Sequence, residues 1–295
     1  MSLIRNSVAS RDRNLPGPAA SRPLSFTSDL KPSAYFRWKG ILDRVLAAVL
    51  LIPALPIIGL LVVLVRLTSR GPGVFRQSRV GKNGRKFMMY KIRTMRHDAE
   101  AETGAVWTKA LDPRVTPIGK VLRKLHLDEL PQLFNVVQGE MSLAGPRPER
   151  PEFVYVLAAA IPGYLDRLAI PPGVTGLAQL NLPPDSNLDS VRRKLALDLE
   201  YVRRAGLLLD IRLLLCTFGR MFKLPEWILL RIFRLSRQVA IPESPVPPAN
   251  GSNHCAATPT EIAAASHHRH PGPDGTTAGD GKPAAKPGHT SPKPR

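Results

Sequence analysis

Two adjacent carboxylates, Asp128 and Glu129, stand just before Pro131 in the stretch Leu127-Asp-Glu-Leu-Pro-Gln-Leu133. Proline suits the first turn of a helix, where its missing amide would have no intrahelical partner, so the pair falls at or just before a helix N-terminus. Free amides and the helix dipole attract phosphate there. Acidic residues also cap helices at that position, and the residues alone leave both roles open. Further along, Gly145-Pro-Arg-Pro-Glu-Arg-Pro151 holds Arg147 between two prolines. A guanidinium on so stiff a backbone suits a bidentate grip on phosphate. The alternative, a polyproline-type peptide ligand, belongs to disordered stretches rather than to the middle of a domain. Upstream, Arg76 to Arg96 carries eight basic residues, Lys91 and Arg93 among them, and no acidic one. That run reads as an anion-binding surface.

These groups need elements to hold them. Asn83-Gly84 is the pair that a type I′ hairpin turn prefers, so two short strands are expected on either side. Thr116-Pro117 reads as an N-cap and first helical residue, with Val121, Leu122 and Leu125 inward and Lys120, Arg123 and Lys124 outward. The helix begun near Pro131 should turn Leu133, Phe134 and Val137 inward and stop at Gly139. Pro171-Pro-Gly-Val-Thr-Gly176 is a turn leading into a short strand. Leu188, Val191, Leu195, Leu199 and Val202 then recur at helical spacing, with Gly206 as the stop.

The chain has 295 residues, 42 Lys+Arg against 23 Asp+Glu, and a formal charge of +19. With 43% apolar residues it can bury a core, which argues against wholesale disorder and against a many-helix transporter. Two cysteines, Cys216 and Cys255, form no disulfide framework. Val45 to Val65 is a run of 21 residues without a charge, about 32 Å long as a helix and enough to span a bilayer. Pro53 and Pro56 interrupt it. Arg37, Lys39 and Arg44 precede it, and Arg66, Arg70 and Arg76 follow. By the positive-inside rule both ends belong in the cytoplasm, so a re-entrant helix-break-helix is expected, with a proline-kinked spanning helix as the alternative. Glu226–Arg237 mixes Trp227, Ile228, Leu230, Ile232 and Phe233 with Arg231, Arg234 and Arg237, the composition of a helix lying in the headgroup layer. For Leu207–Leu215 an interfacial helix and an ordinary core helix are equally consistent. The basic surface then has anionic membrane lipid as its partner. With few aromatics interleaved for stacking, nucleic acid is not expected.

The division expected is a flexible basic N-terminus (1–38), a re-entrant membrane helix (39–66), a catalytic domain with interfacial helices (67–239) and a disordered tail (240–295). The tail has no Phe, Trp or Tyr and includes His267, His268 and His270, a cluster that suggests metal but is more often incidental.

Four ordered motifs together carry a resemblance. Lys91-Ile-Arg-Thr-Met95, Leu127-Asp-Glu-Leu-Pro-Gln-Leu133, Gly139-Glu-Met-Ser-Leu-Ala-Gly-Pro-Arg-Pro148 and Pro172-Gly-Val-Thr-Gly176 resemble the bacterial sugar transferases, monotopic polyprenyl-phosphate sugar-1-phosphate transferases. The likeness runs from about Lys39 to Leu215. It implies an α+β fold, with a re-entrant membrane helix and a compact domain at the cytoplasmic face of the inner membrane. It also implies transfer of sugar-1-phosphate from a UDP-sugar to undecaprenyl phosphate. Carried onto this sequence, Asp128 is the nucleophile and Glu129 its partner, both beside Mg2+. Arg123 and Arg147 are the phosphate-contacting arginines, joined by Lys91 and Arg93, and Pro53 and Pro56 make the break in the membrane helix. The stretch Pro146 to Phe153 looks most like members serving exopolysaccharide synthesis. The four-helix membrane region that precedes this domain in larger members is not expected, and a homo-oligomer is left open. The chain departs from the family's habit at Gly40, at Leu125-His126-Leu127 and at Leu177, the last near a region expected to affect sugar or membrane contact. Two competing readings remain: a membrane-anchored phosphohydrolase of nucleotide-sugars, and a basic scaffold in which the acidic pair is only a cap.

Overall fold

The computed structural model describes residues 31–100 and 112–239; the tail from 240 and its histidines lie outside them, as does most of the N-terminal segment. The architecture is α+β, with helices around two small sheets. Helix α1 runs Phe36–Thr68, longer at both ends than the expected 39–66, and Pro53 and Pro56 lie inside one helix rather than at a gap between two. Strands β1 (Val74–Val80) and β2 (Lys86–Ile92) form an antiparallel hairpin. Its tip takes the expected left-handed conformations at Asn83 and Gly84. The connection is nevertheless longer than a two-residue turn, since Gly81 N–H bonds to the Arg85 carbonyl at 2.7 Å.

Helix α2 (Pro117–Lys124) begins as expected, the Thr116 hydroxyl accepting from Gly119 N–H at 3.0 Å. Helix α3 (Gln132–Gln138) ends at Gly139 in a left-handed C-cap. The helical phase differs from expectation in both. Val121 and Val137 face outward, while α3 buries Leu133 and Val136 together with the polar Gln132 and Asn135. Asn135 explains the shift: its side chain accepts from Tyr90 N–H (3.1 Å) and donates to the Met88 carbonyl (2.7 Å), joining α3 to the open edge of β2.

Strand β3 (Ser142–Ala144) pairs in parallel with β4 (Gly173–Thr175). No sequence signal announced that pairing. Here the backbones approach so closely that a Cβ on Gly173 would lie 2.0 Å from Gly145 N, which excludes any side chain. Helices α4 (Pro151–Ala160), α5 (Leu177–Asn181), α6 (Leu188–Arg204), α7 (Leu207–Met221) and α8 (Glu226–Ile232) complete the fold.

One core joins a stripe of α1 (Ala47, Ala54, Ile58, Leu61 and Val65) to β2, α2, α3 and β3, and two more knit α4 to α6 and α5 to α8. The stripe begins with buried charge. Lys39 pairs with Asp43 and with Asp210 of α7, and Asp43 accepts from Ser142. At the far end, Arg93 donates to the carbonyls of Ser69 (2.8 Å) and Arg70 (2.6 Å), just past the last turn of α1. Both ends of the apolar helix are therefore fastened to the same globular domain. Its other faces are bare: Ile41, Val45, Val49, Ile52, Leu60 and Val63 are all exposed. The helix is long and apolar enough to cross a membrane by length and composition. Helix α7 is a core helix and a surface helix at once. Leu213 and Cys216 are buried, whereas Leu208, Ile211, Leu215 and Phe218 are exposed.

Candidate active site

The acidic pair does not cap a helix. Leu127–Glu129 forms a short 3-10 turn, and the N-cap position of α3 is Pro131, without a side-chain cap. The turn opens on His126, whose φ of 54° and ψ of 19° place a non-glycine residue in the left-handed region, a strain of about 1–2 kcal/mol. Its carbonyl accepts the Glu129 N–H at 3.3 Å, which folds the two carboxylates back between β2 and the loop after β3.

The two carboxylates then meet different surroundings. Glu129 Oε1 accepts from Lys91 Nζ at 2.9 Å and from Arg147 Nη2 at 3.1 Å. Burial by itself would raise its pKa, but those two cations hold Glu129 far below the ordinary carboxylate range. Asp128 is only 7% exposed and accepts no hydrogen bond among the described residues. Burial pushes its carboxyl above the usual aspartate value; Lys91, Arg123 and Arg147 oppose the rise, and the charge on Glu129 adds to it. One member of the pair is thus neutralised and fixed. The other is left with its lone pairs free, close to three positive charges.

Each cation is positioned by a different element. Lys91 lies on β2, opposite Phe75, and burial lowers its pKa against the pull of Glu129. Arg123 leaves the last turn of α2, where its Nε donates to the Thr94 hydroxyl at 2.9 Å. The approach of α2 to Thr94 needs Gly119, because a Cβ there would meet the Thr94 carbonyl at 2.1 Å. Arg147 stands between Glu129 and Gln179, its Nη1 donating to Gln179 Oε1 at 3.2 Å. Its side chain is 41% exposed and open to a ligand.

Arg93 is not brought to this cluster. It is buried, and its donors go to the end of α1. Lys91 and Arg93 are two apart, yet only Lys91 donates to the carboxylates, while Arg93 donates to Ser69 and Arg70 past the end of α1. Thr94 and Gln179 belong to the site as well; Thr94 lies within the Lys91-to-Met95 motif but has no role assigned by it, and Gln179 carries no signal in sequence. Each is a common polar residue whose role depends on which arginine is folded against it.

Among the described residues no group of three or more His, Cys, Asp or Glu side chains gathers. Two adjacent carboxylates, one of them unbonded, still suit a hard cation such as Mg2+, which takes one or two carboxylates and fills its remaining positions with water and substrate phosphate. The donor set therefore fits that ion and not a softer metal, which would call for sulfur or imidazole.

The model of the family described as "Bacterial sugar transferase" matches residues 34–224. A Bacillus subtilis (strain 168) protein, provisionally named an undecaprenyl-phosphate N-acetylgalactosaminyl 1-phosphate transferase, is 47% identical over 144 residues, which is 49% of this chain and 80% of that protein. A Caulobacter vibrioides UDP-glucose:undecaprenyl-phosphate glucose-1-phosphate transferase is 38% identical over 181 residues, 61% of this chain and 67% of its own length. The undecaprenyl-phosphate glucose phosphotransferase of Komagataeibacter xylinus is 40% identical over 204 residues, which is 68% of this chain and 37% of that larger protein. Matched from the start of the apolar helix to beyond α7, through every element that shapes the carboxylate pair, this chain belongs to the bacterial sugar transferase family.

Proposed function

We propose that the protein transfers sugar-1-phosphate from a UDP-sugar to undecaprenyl phosphate, by way of a phosphosugar carried on Asp128. The supporting observation is the asymmetry of the pair: a buried carboxylate with free lone pairs, next to a neutralised one and within the field of Lys91, Arg123 and Arg147. In the first step an Asp128 oxygen attacks the phosphorus attached to the sugar. The bond from that phosphorus to the bridging oxygen breaks, and UMP leaves with the electron pair. In the second step a phosphate oxygen of the lipid attacks the same phosphorus and displaces Asp128, which returns as a free carboxylate. One phosphoanhydride is exchanged for another, so no further energy source is consumed.

Arg147 and Arg123 orient the diphosphate and offset charge on its oxygens. Lys91 keeps Glu129 ionised, so Glu129 cannot compete with the substrate for the proton of a phosphate. Asp128 and Glu129 would hold Mg2+, which when bound supplies further neutralisation of the phosphate oxygens.

The acceptor is insoluble in water and the donor is not, so the site belongs at a membrane surface. Attachment of both ends of α1 to one domain supports a helix that enters and leaves the same face, the cytoplasmic face of the inner membrane. The exposed Phe218 of α7, Phe222 just past its end, and Trp227 and Ile232 of α8, beside Lys223, Arg231 and Arg234, suit the headgroup layer of an anionic bilayer. The deciding experiment incubates membranes carrying the protein with undecaprenyl phosphate and a panel of UDP-sugars, with and without EDTA. UMP release matched by sugar-phosphate on extracted lipid is the expected result. UMP or sugar-phosphate released to water without lipid product would refute it in favour of hydrolysis.

A further inference from the structure

The loop that presents Arg147 has almost no means of bracing itself. Pro146 and Pro148 lack amide hydrogens, and the segment between β3 and α4 has no regular structure. Yet each of its four carbonyls from 146 to 149 accepts a hydrogen bond, and no two of the donors belong to the same residue. Gly173 N–H reaches the Pro146 carbonyl at 2.8 Å and Val80 N–H reaches that of Glu149 at 2.9 Å. Arg79 Nη1 reaches the Pro148 carbonyl at 3.1 Å, and Arg167 Nη2 reaches that of Arg147 itself at 2.8 Å.

Arg167 differs from the other three donors. It comes from the 3-10 segment Tyr164–Ala169, is 2% exposed, and is held by Asp198 of α6, with Nε to Oδ2 at 2.9 Å and Nη2 to Oδ2 at 2.8 Å. A buried ion pair is a poor device for stability, because desolvation consumes most of what the charges gain. It is a good device for placing a donor, since both groups are locked and five N–H groups leave a planar fork. Here Nε donates to Asp198 and Nη2 to the Arg147 carbonyl, two donors of one rigid plane. The Arg147 side chain departs toward Glu129 and Gln179, while its carbonyl is tied to a charge buried in α6 and the 3-10 segment.

We infer that Arg167, set by Asp198, is a positioning residue for Arg147, holding its backbone so that the guanidinium meets the donor phosphate beside Glu129. The inference rests on the proposed reaction for the role of Arg147, but the clamp itself can be read without it. Arg167→Lys keeps the charge and cannot serve both acceptors with one planar group. It is expected to lower kcat/KM for the best UDP-sugar of the panel about tenfold or more. In an Arg147→Ala background the same change should have less than a twofold effect, because the residue it acts through is gone. A merely structural Arg167 would give the same fold loss in both backgrounds, and that result would overturn the inference.

The pair variant Arg167→Met with Asp198→Leu guards against misfolding, since replacing both members of a buried ion pair with apolar residues of similar volume leaves no stranded charge. It should retain the wild-type Tm and still show the tenfold loss; wild-type kcat/KM would overturn the inference. If the wild type releases UMP from no UDP-sugar, the proposed reaction fails. Hydrogen exchange of the full chain in detergent then decides the clamp alone. Amides of the peptide covering 145–150 should exchange at least tenfold faster in the pair variant, and unchanged exchange refutes the clamp.

Discussion

Asp128→Asn separates chemistry from folding at one position. The change keeps the shape of the side chain and removes its charge. If Asp128 were only a helix cap, Asn, which caps about as well, would leave both Tm and activity unchanged. The structure predicts otherwise, because Asp128 accepts no hydrogen bond among the described residues and burial raises its pKa. For an acid, a folded-state pKa above the unfolded one means that folding disfavours the charged form. The penalty is present at neutral pH and is relieved as pH falls through the raised value. The neutral carboxamide of the Asp128→Asn variant would carry no such penalty, so its Tm at pH 7 should equal or exceed that of the wild type. Catalysis should fall by at least ~10³, about 4 kcal/mol of barrier, since a carboxamide cannot be the displaced group of the second step. The assay supplies a UDP-sugar labelled in the sugar phosphate, without lipid acceptor. Wild type should release about one UMP per site and retain label on Asp128, and the variant should do neither. Label on another residue, or full turnover by Asp128→Asn, refutes the assignment. An unchanged Tm with activity retained would restore the cap.

Glu129→Gln should reduce turnover at least tenfold and also lower stability, by about 1–3 kcal/mol, because Lys91 and Arg147 lose the charge they bond to. Denaturant unfolding at pH 7 measures it. The pKa of Glu129 is depressed on folding, so its contribution is present at neutral pH and is lost as pH falls through the folded value. The pH profile of kcat/KM should be narrower than ordinary Asp and Lys groups would give. Its acid limb is raised by the buried Asp128 and its alkaline limb lowered by the buried Lys91; Lys91→Arg should move the alkaline limb upward. Cysteine labels at Ser33 and Ser78, in a background lacking Cys216 and Cys255, should both react from the cytoplasmic side; labelling from opposite sides sinks the same-face topology. Replacing Pro53 and Pro56, which lie inside α1, with Leu should raise the spanning fraction, since an interior proline removes a helix hydrogen bond and favours a kink.

Local rules sufficed wherever the chain interacts with its near neighbours. The Thr116 cap, the Gly139 stop, the Asn83-Gly84 turn and the apolar run of α1 were all legible, because each is decided within a few residues by backbone sterics or by transfer from water. The motif order identified the carboxylate pair, and Asp128, Glu129, Lys91, Arg123 and Arg147 do come together. What the sequence could not divide was labour among neighbours of the same type. Asp128 and Glu129 are adjacent acids, yet only Glu129 is bonded, because Lys91 reaches it from a strand 38 positions away and Arg147 from a loop 18 positions away. Lys91 and Arg93 are nearby bases, yet the fold turns one to the site and the other to the end of α1. Val137 and Val136 are equally apolar, and the bonds of Asn135 to β2 chose between them. Arg167, Asp198 and Gln179 had no local signature at all. Their roles exist only where β3 meets β4 and α6 packs on the 3-10 segment, since a buried charge acquires its function from whatever the chain brings opposite to it.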